Sequence, residues 1–158
     1  MFGLLKSFFG ANEATDTRPP TGIDMQEAMI GLDIETAKFA HENWKLRLLA
    51  YLEGKSTESF SPEVICFDDR CDLGQWIHGQ GKARLGQFPG FTALMGHHKM
   101  FHYAASNVVS LQNAGHPTEA RHMLEHQLAE FSKAVTKDLD NLQDIATHAA
   151  QRQRARHA

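Results

Sequence analysis

The chain has 158 residues, 42% of them hydrophobic, and a net charge of −3 with its histidines neutral. That length suits one domain with enough apolar content for a core, and the charge leaves no basic face for nucleic acid. The two cysteines, Cys66 and Cys71, lie in a charged segment and do not resemble a secreted disulfide framework, so the expected setting is reduced and cytoplasmic.

The start, residues 1–10, is apolar but lacks the basic and cleavage regions of a signal peptide. It reads as a loose tail, with contact to a membrane surface or a partner as the alternative, since one short apolar stretch anchors weakly and no apolar run approaches the ~18–20 residues that span a bilayer. Residues 11–23 have linker composition, with Pro19, Pro20 and Gly22, so residues 1–23 are expected to form a flexible segment. Asp24 is then a candidate N-cap, with Glu27 three residues on. Ile30, Ile34, Ala37, His41, Trp44, Leu48 and Leu52 fall on one apolar stripe, which predicts a single long helix ending near Gly54. His41 lies within the stripe and is expected to face the core.

A loop follows, with one helical turn predicted at Ser61-Pro62-Glu63. Asp68 or Asp69 is expected to cap a short helix running to about His78 and stopped by Gly79 and Gly81. Cys71 then falls in a first helical turn, where free amides and the helix dipole favour a thiolate. After the break at Phe88-Pro89-Gly90, a helix is predicted from about Phe91 to Asn113, with His98 and His102 on its buried face. Gly115, His116 and Pro117 separate it from a last helix carrying the stripe Leu124, Leu128, Phe131, Val135, Leu139, Leu142 and Ile145. The basic residues 149–158 have no apolar face and are expected to fray. The prediction is an all-α antiparallel four-helix bundle, three long helices and one short, over residues 24–148.

Of ten histidines, most are expected to be solvated helix positions, including the spaced pair His122 and His126. His98 and His102 differ in placement. Spaced four apart, their rings meet on one helix face, and that face is apolar, as is the face holding His41. A buried imidazole without a partner costs on the order of 1–3 kcal/mol, and a shared metal satisfies all three. Cys71 adds a soft donor that favours zinc over magnesium or calcium. Three imidazoles and one thiol make the donor set of a closed tetrahedral zinc site. Trp44 and Trp76 read as aromatic walls around it, Leu73 as packing, and Gly74 as a point of close helix approach. Cys66 has no second metal partner at suitable spacing and reads as an ordinary small apolar residue, with a spare thiol near the site as the alternative.

These pieces, in order, resemble the chemoreceptor zinc-binding family. His41 with Trp44, then Cys71-Asp72-Leu73-Gly74-Gln75-Trp76, then His98-Lys99-Met100-Phe101-His102 follow its pattern, with 26 residues between Trp44 and Cys71 and 21 between Trp76 and His98. The resemblance covers roughly residues 30–145. It implies a four-helix bundle with zinc held by His41, Cys71, His98 and His102. It also implies a bacterial, cytoplasmic setting and homodimers. Members attached to chemoreceptors or diguanylate cyclases sense zinc or oxidants, and this chain resembles a stand-alone member whose signal passes to such a partner in trans.

The expected function is thus a zinc-dependent sensory module, with Cys71 as the redox candidate. The alternative is a scaffold in which zinc is only a staple. Catalysis is not expected: catalytic zinc keeps an open position, here taken by Cys71, and Glu42 and Asp72 adjoin ligands without forming a His-Glu-x-x-His helix.

Overall fold

A computed structural model of the chain describes residues 21–157. All regular structure among them is helical: α1 (Gly22–Met29), α2 (Ile34–Leu52), α3 (Pro62–Ile65), α4 (Asp72–Trp76), α5 (Lys82–Leu85), α6 (Pro89–Asn113), α7 (Pro117–Met123) and α8 (Ala129–His157). The apolar residues 1–10, read as a loose tail with membrane contact as the alternative, lie outside the described residues, as does most of the linker. Among the described residues no helix is long and apolar enough to cross a membrane.

The first predicted helix is two. Thr21, not Asp24, is the N-cap of α1, and Asp24 is its reciprocal partner. The Thr21 amide donates to Asp24 Oδ2 at 2.7 Å and the Asp24 amide to Thr21 Oγ1 at 3.2 Å. After Met29 the chain leaves the helix through Gly31, at φ +85°, a conformation glycine adopts without a Cβ penalty. Asp33 then caps α2, its Oδ1 accepting from the Thr36 amide at 3.0 Å. A stop signal at Gly31 and a start signal at Asp33, two residues apart, outweigh the continuous apolar stripe. Ile30, assigned to that stripe, is 66% exposed.

The short helix breaks at Gly79, whose φ of −101° and ψ of −108° are not helical, as the sequence predicts; Gly81 is not a stop, since helical backbone resumes there and runs into α5. A further correction concerns the last helix, which contains a π-helical turn, Leu124–Leu128, between α7 and α8. Ile145, expected on the buried stripe, is 37% exposed, while Ala149 is buried. The basic segment expected to fray is helical as far as His157.

The helix α8 packs along α6, α1 and α2, while α3 packs on α6. One apolar cluster gathers Leu73, Trp76, Phe91, Leu94, Leu139 and Leu142; a second gathers Leu48, Phe101, Val108 and Leu128. Along α2 and α6 the histidines fall where one cluster gives way to the other. His41 follows Ala37 and precedes Leu48; His98 and His102 lie either side of Phe101.

Candidate metal centre

The i, i+4 spacing on α6 brings the rings of His98 and His102 to 4.7 Å between centroids. The α2 helix brings the His41 ring to 5.3 Å from that of His98. All three are buried, at 3%, 0% and 5% exposure for His41, His98 and His102. Cys71 comes from the turn before α4, its Sγ 3.3 Å from His98 Nε2 and 3.7 Å from His102 Nε2. A sulfur and a nitrogen on one tetrahedral zinc stand about 3.6 Å apart, from Zn–S near ~2.3 Å and Zn–N near ~2.05 Å.

The donor atoms of Cys71, His98 and His102 all lie within 4.8 Å of one another, the one such cluster of three or more among the described residues. His41 is outside that compact group but adjoins it.

Two of the imidazoles are oriented by backbone carbonyls. Ala37 O lies 2.8 Å from His41 Nδ1, and Ile65 O lies 2.8 Å from His102 Nδ1. A ring nitrogen facing a carbonyl must be the donor, which leaves Nε2 of each ring as a bare lone pair, the form that ligates metal. Burial pushes the pKa of each histidine down, most strongly His98, to about 2, where the neighbouring His102 and His41 add to the effect. All three are therefore neutral bases at physiological pH. His98 Nδ1 is buried with no hydrogen-bond partner among the described residues, and Asp68 Oδ2 stands 3.9 Å from it.

Cys71 itself is the N-cap of α4, in place of Asp68 or Asp69: its Sγ accepts from the Gly74 amide at 3.3 Å. Burial raises the thiol pKa, against the pull of that amide, so the helix start alone does not make a thiolate. A cation held among the histidines would supply the missing charge. Gly74 is indispensable for close approach, because a Cβ there would lie 1.8 Å from the carbonyl oxygen of Asp68.

Leu73 and Trp76 are buried, and the Trp76 indole donates to Ala28 O at 2.7 Å. Trp44 is half-buried, with the Arg47 guanidinium 4.5 Å over its ring. Together with Trp44 and Trp76, the residues His41, Cys71 and His102 line a cleft of about 700 Å³, whose rim includes the α1–α2 connection. Of the carboxylates next to His41 and Cys71 in sequence, Glu42 pairs with Lys45 at 2.7 Å, and Asp72 lines the cleft. The remaining donors stand apart: the Cys66 thiol donates to Glu63 O at 3.4 Å, and His122 and His126 are exposed with ring centroids 4.4 Å apart.

Sequence reasoning missed the carbonyls of Ala37 and Ile65, whose role carries no side-chain signal. It also took Asp68 as a helix cap, whereas its carboxylate faces His78 Nε2 at 3.0 Å and the His98 ring.

The donor set of soft thiol and neutral imidazoles fits zinc. No curated protein and no solved structure matched the chain. Residues 41–109 match the family model described as the chemoreceptor zinc-binding domain.

Proposed function

Since residues 41–109 match the family model of the chemoreceptor zinc-binding domain, we propose that the protein is a zinc-dependent sensory module in which His41, Cys71, His98 and His102 hold one zinc ion at the centre of an antiparallel four-helix bundle. The observation that carries this reading is the convergence of Cys71 Sγ on the Nε2 atoms of His98 and His102. His41 is the fourth donor because its Nδ1 is engaged by Ala37 O and its ring packs against that of His98.

Bound zinc supplies the positive charge that keeps Cys71 as a thiolate and links α2, α6 and the turn before α4. Without it, the thiol and three imidazoles lose their common partner, and the packing of those three elements loosens. That change is the signal, read by a partner protein of the chemoreceptor or diguanylate cyclase type, with the chain acting as a cytoplasmic homodimer. Support for association comes from α2, where Phe39 and Leu46, two turns apart on one side, are 72% and 66% exposed.

The cleft reaching Cys71 favours a second input. A peroxide-class oxidant entering there is attacked by the thiolate: the new S–O bond forms as the O–O bond breaks, giving a sulfenic acid and hydroxide, and the weakened donor releases zinc. The same cleft argues for an exchangeable site over a sealed staple.

Zinc affinity measured by chelator competition, on the wild type and Cys71→Ala, tests the assignment. One zinc per chain, weakened by the substitution, with helical content or oligomeric state altered on removal, is the expected result. Zinc binding unchanged by Cys71→Ala removes the ligand assignment. A loaded and a stripped form alike in stability and assembly reduce the zinc to a structural staple.

A further inference from the structure

The polar atom left over in the metal centre is Nδ1 of His98. It is buried without a hydrogen-bond partner among the described residues, whereas the same atoms of His41 and His102 face carbonyls at 2.8 Å. For Nε2 of His98 to ligate metal, Nδ1 must carry the proton, and that N–H becomes a stronger donor once the ring is bound. The carboxylate of Asp68, 16% exposed and 3.9 Å away, stands where an acceptor is needed.

Two features hold Asp68 in that place. Its backbone carbonyl occupies the space a Cβ on Gly74 would need, at 1.8 Å, and the same glycine gives its amide to Cys71 Sγ at 3.3 Å. Its Oδ2 also meets Nε2 of His78 at 3.0 Å. His78 is 40% exposed at its side chain, so the carboxylate stands between a surface histidine and a buried one.

We propose that Asp68 is the positioning residue for His98, its carboxylate accepting the Nδ1–H of that ligand, and that His78 competes for the same oxygen and thereby sets how tightly zinc is held. This rests on the assignment of His98 as a zinc ligand. To accept that bond, the carboxylate must shorten its 3.9 Å separation by about 1 Å to reach hydrogen-bond distance. Its negative charge then offsets the cation in a poorly solvated site, where loss of such an outer acceptor typically weakens metal binding by about 10–100-fold.

The test is chelator-competition zinc affinity of the full chain, with zinc alone as ligand, on wild type, Asp68→Ala, Asp68→Asn, His78→Ala and Asp69→Ala. Asp68→Ala is expected to bind one zinc per chain about 10–100-fold more weakly, Asp68→Asn to fall between it and the wild type, and His78→Ala to bind tighter. An equal loss in Asp69→Ala would show general electrostatics and overturn the specific role, as would unchanged affinity in Asp68→Ala. Weaker binding in His78→Ala would overturn the competition. A wild-type readout guards against variants that fail to fold. In the zinc-loaded protein, ¹⁵N–¹H correlation should show a slowly exchanging proton on His98 Nδ1, and its absence would overturn the proposal. Cys71→Ala, run alongside, separates the two levels: zinc binding indifferent to Cys71 removes the ligand assignment itself, whereas binding that needs Cys71 but not Asp68 removes only this inference.

Discussion

Cys71 Sγ lies 3.3 Å from Nε2 of His98, joining a turn before α4 to the middle of α6 across 27 residues of sequence. Without metal that contact is a neutral thiol beside a neutral imidazole, since burial raises one pKa and lowers the other. A bound metal would convert it into a pair of ligands.

Removing zinc by chelation should therefore cost stability. A ligand present at 100 times its Kd stabilises by about 2.7 kcal/mol. In a chain of this size that corresponds to a Tm drop of roughly 5–10 °C on stripping. Thermal unfolding followed by circular dichroism checks this, and Cys71→Ala should show little further loss on chelation.

Gly74→Ala tests the close approach of the chain to α4. The added methyl would meet backbone, the Asp68 carbonyl at 1.8 Å, and no rotamer can relieve that. A destabilisation of about 1–3 kcal/mol is expected, with zinc affinity falling too because the Gly74 amide also serves Cys71. Denaturant unfolding of the zinc-free and zinc-loaded variant measures both.

The zinc-free protein should be stable over a window bounded on both sides. His41, His98 and His102 have folded pKa values below the ordinary 6.5, so under acid the unfolded chain takes up more protons. Their contribution is complete above about pH 6.5 and is lost as pH falls towards the folded values. One histidine that stays neutral when folded accounts for about 2 kcal/mol between pH 6.5 and 5. Cys71, raised above its ordinary 9.0, acts oppositely: its contribution is complete below that value and is lost as pH rises above it. Urea midpoints measured across pH in the presence of chelator should show both edges.

Oxidation should depend on metal. The zinc-free Cys71 thiol is held neutral by burial, so the loaded protein is the one whose Cys71 reacts with peroxide. Mass spectrometry should find Cys71 modified before Cys66, together with zinc release. The reverse order would argue against the redox input.

At the cleft rim, Gly31→Ala should destabilise by about 1 kcal/mol, because φ +85° disfavours a Cβ. The same substitution at Gly96, a helical position with open space around it, should be neutral or stabilising. Paired thermal melts distinguish a conformational requirement from loss of a glycine as such.

Local rules determined much of this protein. Helical periodicity placed Ala37, His41 and Leu48 on one buried face and Leu94, His98 and Phe101 on another, because a period near 3.6 residues is imposed by backbone hydrogen bonding and needs no tertiary information. The i, i+4 spacing alone brings the rings of His98 and His102 together, and the type and order of the donors point to zinc. The apolar stripe through Ile30 misled, since periodicity records which residues are apolar and not whether the backbone between them is continuous. The signals at Gly31 and Asp33 decided that.

Tertiary structure decided the rest. Cys71 is a helix cap because Gly74 lets the chain at Asp68 pass close enough to turn the thiol inward. The imidazoles present Nε2 because the carbonyls of Ala37 and Ile65 take up Nδ1, and a carbonyl is the same in every residue, so sequence cannot announce it. Ala37 lies one turn from His41 on its own helix, but Ile65 reaches His102 only through the packing of α3 on α6. Asp68 illustrates the same limit: one carboxylate among many in the sequence, it comes within 3.9 Å of the buried His98 Nδ1, an atom with no hydrogen-bond partner among the described residues, only through the tertiary packing.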